Sequence, residues 1–145
     1  MSFVFSLGSV LRVRGMLEEQ EERLLQKILF EITQTLEAIA RTDAEIEGSN
    51  AMRRADIHKP IIGHDVHASY SEIAHFKQIR AELESRIEKL HKLRDQQLLV
   101  YEAARRNREM LTDMCEDKRT AYNAEMARSE QKVLDDNYIG RHGRF

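Results

Sequence analysis

The stretch that decides the fold is Ile73-Ala-His-Phe76-Lys-Gln-Ile-Arg80-Ala-Glu-Leu83-Glu-Ser-Arg-Ile87-Glu-Lys-Leu90-His-Lys-Leu-Arg94-Asp-Gln-Gln97-Leu-Leu-Val-Tyr101-Glu-Ala-Ala104. Phe76, Leu83, Leu90, Ala104 and Leu111 fall on one seven-spaced row, interrupted by Gln97. Ile73, Ile87, Tyr101, Cys115 and Tyr122 fall on a second row, interrupted by Arg80, Arg94 and Arg108. The two rows are offset by three and four residues, the spacing that lets two helices bury a common seam. Polar residues at seam positions cost stability and narrow the choice of pairing; the three arginines are read either as side chains that snorkel to water or as the mark of a loosened, adaptable coil.

Working outward, Ser69-Tyr70-Ser71-Glu72 has the form of a capping box, and neither Gly nor Pro follows before Gly140. A second helix is therefore expected over about 70–139, roughly 105 Å long. Upstream, Leu25, Ile32, Ile39 and Ile46 are seven apart, with Leu29 and Leu36 four beyond the first two and Asp43 breaking that companion row. Val10, Leu17 and Leu24 form a row one residue out of phase, which predicts local unwinding near Leu24 inside a continuous first helix over about 9–47, with Ser6 and Ser9 as candidate caps. Pairs such as Glu37 with Arg41 in the first helix and Glu82 with Arg86 in the second stand four apart in the favourable order and support both helices.

Gly48-Ser49-Asn50 and the segment around Pro60 and Gly63 place the turn region at about 48–69, with room for a few helical residues around Met52 to Ala55. The expected fold is thus all-α: a long antiparallel two-helix coiled-coil hairpin, one unit over 1–145, whose second helix is the longer. If 47 lies beside 70, the first helix runs out opposite roughly residue 110. About 30 residues of the second helix, with Tyr122, Met126, Val133 and Leu134, are then left for a partner, a second copy or the segment Phe3 to Leu11.

Composition agrees. The 145 residues include 6 Gly and 1 Pro, too little punctuation for a fold of many short strands. With 23 Lys and Arg against 25 Asp and Glu, the net charge of −2 provides no overall basic field for nucleic acid. No apolar run approaches a membrane span and no leader is evident, so a soluble, unprocessed chain is expected. The one cysteine, Cys115, points to a reducing cytoplasm and to a small side chain on a seam. Nucleotide-binding glycine motifs and zinc motifs are missing, and a two-helix hairpin has no interior in which to desolvate a catalytic group, so no enzyme and no cofactor is expected. His58, His64, Asp65, His67 and His75 gather near the turn and could in principle ligate a divalent metal; exposed loop histidines are the commoner meaning, and no metal site is assigned.

The opening Phe3-Val-Phe5-Ser-Leu7-Gly-Ser-Val10-Leu11-Arg12-Val-Arg14, the long helix with its Tyr and Leu seam, and the closing Arg128-Ser-Glu130-Gln131-Lys132-Val-Leu134-Asp135-Asp136 resemble the flagellar export protein FliJ family. The closing motif is the more specific, and the likeness in length, turn position and helix order covers essentially the whole chain. The resemblance implies a cytoplasmic stalk, similar to the gamma subunit of rotary ATP synthases, peripheral to the inner membrane at the flagellar base. It would bind the hexameric export ATPase, promote its assembly and activity, couple it to the membrane export gate and escort export chaperones. By position in that family, Arg12, Arg14, Gln131, Lys132, Asp135 and Asp136 would meet the ATPase. Tyr70, Phe76 and Leu83 would meet the export gate protein.

Rival readings are a stalk of a virulence type III secretion system and a generic coiled-coil scaffold or holdase. A scaffold shares the periodicity without needing the Arg12 and Arg14 opening or the closing motif. Gly8 and Gly15 depart from the family's pattern, each costing roughly 1 kcal/mol of helix relative to Ala.

Overall fold

The computed structural model describes residues 2–56 and 63–143. It contains two helices, α1 (Gly8–Asp56) and α2 (Gly63–His142), of 49 and 80 residues. They pair as an antiparallel helical hairpin, as the two interlocked rows of α2 predict. Contacts divide the chain into two compact units, Glu22–Val100 and Met1–Glu21 with Tyr101–Phe145.

Both helices are longer at the turn than the sequence suggests. α1 runs through Gly48-Ser49-Asn50 to Asp56, because one internal glycine costs only about 1 kcal/mol and packing overrides it. The last turns are anchored on α2: Ser49 and Asn50 are half-buried, and the Arg53 guanidinium lies 4.7 Å from the Tyr70 ring centroid. α2 begins at Gly63, ahead of the Ser69 capping pattern, with Asp65 in its first turn where the helix dipole favours a carboxylate. Pro60 and the segment 57–62 lie outside the described residues.

In the unit Glu22–Val100, the antiparallel order is marked by Arg53 on Tyr70, Arg80 bonded to Asp43, and Arg86 at 3.7 Å from Glu31. Ile32, Ile73 and Leu90 are buried, and Leu25, Ile39, Ile46, Phe76, Leu83 and Ile87 are half-buried along the same seam. The companion row of α1 differs from the expected one. Leu29 and Leu36 are exposed (43% and 50%), and the row that faces α2 is Ile28, Thr35, Thr42 and Ser49. Thr35 and Thr42 enter the seam because each hydroxyl donates to a carbonyl one turn back, Glu31 at 2.7 Å and Ala38 at 2.9 Å. With its hydroxyl satisfied, threonine packs as a small β-branched residue, and hydropathy alone hides it. Asp43 then sits on the exposed row and does not interrupt the seam; it accepts from Arg80, which also reaches Glu84 at 2.6 Å.

In the other unit the half-buried positions of α1 are Gly8, Leu11, Gly15 and Glu18. Val10 and Leu17 are exposed (44% and 40%). Leu11 and Glu18 are spaced seven apart and Leu25 follows at the same interval, so the facing row has no phase break near Leu24. The mismatch in the sequence arises from reading the outer row Val10, Leu17, Leu24 as the seam.

Candidate partner-binding surface

The surface with the most exposed chemistry belongs to the unit of Met1–Glu21 and Tyr101–Phe145. Its anchor is Arg108, a seam residue whose guanidinium donates through Nε and Nη2 to both carboxylate oxygens of Glu18, at 2.6 and 3.1 Å. The Glu18 side chain is only 15% exposed and that of Arg108 30%. Hydrogen bonding to Arg108 holds the Glu18 carboxyl below its ordinary range, against a smaller opposing effect of burial. The pair replaces an apolar contact with a directional one beside Gly15, where no side chain fills the seam.

Ahead of α1, residues 2–5 are extended, with Phe3 and Phe5 half-buried and Val4 between them 80% exposed, the alternation of an extended chain lying on a surface. The Phe3 ring meets Tyr122 at 5.6 Å between centroids, tilted 50°, and Arg119 stands 5.4 Å from the Phe3 centroid. Tyr122 is therefore covered, and the uncovered part of α2 starts later than residue 110: from Asn123 to Gly143 every residue is exposed. Met126, Val133, Leu134, Tyr138 and Ile139 are all open there, from 39% to 65%.

Arg12 and Arg14 are exposed on α1, between Phe3 and Glu18, and so lie alongside the part of α2 between Tyr122 and Arg108. Gln131 comes nine residues after Tyr122, about 14 Å further along the helix at 1.5 Å per residue. Arg12 and Arg14 thus form one patch, and Gln131, Lys132, Asp135 and Asp136 another. In the second, the Gln131 amide donates to Asp135 at 2.9 Å, and Lys132 and Asp136 are open to water. Two shallow apolar grooves accompany these patches. One is lined by Ser9, Val10, Val13, Arg14 and Leu17, the other by Ser129, Glu130, Val133 and Leu134. Val10 and Leu17 carry a signal in the sequence, the seven-spaced apolar row with Leu24, which marks an exposed face and not the seam.

In the unit Glu22–Val100, Phe76 and Leu83 belong to the row that faces α1 and are half-buried, whereas Tyr70 is 55% exposed beneath Arg53. A groove lined by Ser49, Met52, Arg53, Asp56, Asp65, Val66, Ala68, Ser69 and Glu72 lies beside Tyr70. Of the histidines near the turn, His58 and the side chain of His64 lie outside the described residues; His67 and His75 are exposed. Among the described residues no three His, Cys, Asp or Glu side chains are gathered as a metal would need. Cys115 is half-buried on the seam row. Among the described residues no helix is long and apolar enough to cross a membrane.

These features define an α-helical hairpin protein of the antiparallel coiled-coil class, with exposed apolar and charged faces on its second helix. The model of the family described as flagellar FliJ protein matches residues 3–144, nearly the whole chain, and the chain belongs to that family. It is accordingly a protein associated with flagellar type III export, in a family of structural, export-associated proteins. Comparison with curated proteins gives no match, and comparison with solved structures gives none either.

Proposed function

We propose that the chain is the stalk of the flagellar export apparatus, acting as one unit over residues 1–145 in the cytoplasm, peripheral to the inner membrane. The observation that carries this reading is the stretch Asn123–Gly143: it is helical through His142, it is exposed throughout, and it displays apolar residues that water does not favour. Such a helix is suited to entering a ring of another protein. On this reading Gln131, Lys132, Asp135 and Asp136 meet the hexameric export ATPase first, and Arg12 and Arg14, on α1 beside the stretch of α2 between Tyr122 and Arg108, meet it next. The chain promotes assembly and turnover of that ATPase and couples it to the export gate through Tyr70, with Phe76 and Leu83 supporting the helix beneath. Export chaperones are carried on the remaining exposed faces.

The test is ATP turnover and hexamer formation by the cognate export ATPase, titrated with the full chain and with a form lacking residues 128–145. Residues 128–143 are exposed, so the truncation should leave the melting temperature of the rest unchanged while stimulation disappears. Equal stimulation by both forms would overturn the assignment of this end. No stimulation by either, with an active ATPase, would return the chain to a scaffold or chaperone escort.

A further inference from the structure

The segment 2–7 ahead of α1 does something the coiled coil does not require. Its Phe3 ring covers Tyr122, the last covered residue of α2, and Arg119 lies against the same ring. Arg119, Tyr122, Met126 and Val133 are spaced by three, four and seven residues and so share one face of the helix. Beyond Tyr122 that face is open, with Met126 39% and Val133 56% exposed. A partner covering Met126 and Val133 therefore arrives at Tyr122, where Phe3 already sits.

We propose that Tyr122 and Arg119 form a subsite for an aromatic side chain, filled by Phe3 in the free chain and by an aromatic residue of the partner once it docks along α2, so that docking expels the segment 2–7. The chemistry selects an aromatic occupant. Tyr122 presents a ring for tilted stacking, and Arg119 a cation that favours a π face over an aliphatic group. Phe3 shows that such a ring fits. The segment is held loosely enough to leave: Phe3 and Phe5 are only half-buried, Val4 is open, and Gly8 N–H donates to the Phe5 carbonyl at 3.0 Å to fix its end. Ring and cation contacts of this kind each shift an equilibrium by about tenfold or less, so a partner with one more apolar contact displaces the segment.

The identity of the partner rests on the stalk reading above; the subsite does not. Binding of the export ATPase is measured with the full chain and with Phe3→Ala. Removing the competing ring should tighten binding about 3- to 10-fold, because the open form no longer has to be recruited from a minority. Exchange of the Gly8 amide of the unchanged chain, held by its bond to the Phe5 carbonyl, should become faster when the ATPase is bound. Unchanged or weaker binding by Phe3→Ala, or slower exchange in the complex, would overturn the displacement. A second arm needs no ATPase. Arg119→Ala should accelerate exchange of the Gly8 amide, which donates to the Phe5 carbonyl, about 3- to 10-fold in the free chain, with α-helix content unchanged by circular dichroism. An unchanged rate overturns the subsite. If the ATPase binds neither form, the stalk reading falls and the free-chain arm still decides whether Arg119 and Tyr122 hold the ring.

Discussion

The unit Glu22–Val100 and the unit of Met1–Glu21 with Tyr101–Phe145 draw on the same two helices and close their seams differently. In the first, the seam is closed by aliphatic residues: Ile32, Ile73 and Leu90 are 5% to 7% exposed, and even the polar intruders Thr35 and Thr42 are buried with satisfied hydroxyls. In the second, no described residue is fully buried. Glycines stand at two of the seam positions, an Arg–Glu pair at another, and a ring contact with an extended segment closes the series. The comparison teaches that a regular heptad in sequence covers both a region that holds the fold and a region that displays it. Which is which depends on what the opposing helix contributes at each level.

The largest test of that division is in the aliphatic seam. Ile32→Ala or Leu90→Ala should cost about 2 to 3 kcal/mol, the lower part of the range for removing a buried aliphatic side chain, whereas Leu11→Ala, half-buried in the other unit, should cost about 1 kcal/mol. Urea melts followed by circular dichroism measure both; equal costs would break the comparison.

The Glu18 pair gives a smaller, signed effect. Because Arg108 lowers the folded carboxyl below its unfolded value of 4.5, the stabilisation is complete above that value and is lost as the pH falls through the lower, folded one. Glu18→Gln should therefore reduce stability at pH 7 and shrink its loss on acidification below about pH 4.5, with Arg108 left without its charge partner. A melting curve for Glu18→Gln that tracks the unchanged chain at every pH would show that the pair contributes nothing.

The smallest effect belongs to His91, half-buried in the unit Glu22–Val100, whose Nδ1 is buried with no hydrogen-bond partner among the described residues. Replacing a group that loses its water without compensation by one of similar size and no polar atom is near neutral or stabilising, so His91→Leu should change stability by less than about 1 kcal/mol, in the favourable direction. A clear loss would place a hidden partner at that nitrogen and sharpen the account of how this seam is closed.

Much of the fold was legible. The rows of α2 read correctly from Ile73 to Tyr122, because aliphatic and aromatic residues repeat there at an unbroken spacing and the arginines that interrupt them keep the phase. α1 was legible in one row and misread in the other. Leu29 and Leu36 outrank Thr35 and Thr42 in hydropathy, and only back-bonding to the preceding turn makes the threonines the better seam residues. The candidate surface was half legible. The closing motif stands on an exposed helix, but its distance along α2 from Arg12 and Arg14 depends on the register, which follows from contacts between residues about 90 to 120 positions apart, such as Glu18 with Arg108 and Phe3 with Tyr122.

The sequence by itself determined that the chain is helical, that two long amphipathic helices pair, and, through its opening and closing motifs, the flagellar export family to which it belongs. Periodicity and motif are local properties, readable one turn at a time. Only the tertiary structure decided where α2 becomes uncovered, which row of α1 faces the seam, and that Phe3 turns back onto Tyr122. Those outcomes are set by the register of one helix against the other and by side chains satisfying their polar groups at their neighbours' expense, and neither is written in the spacing of a single strand of sequence.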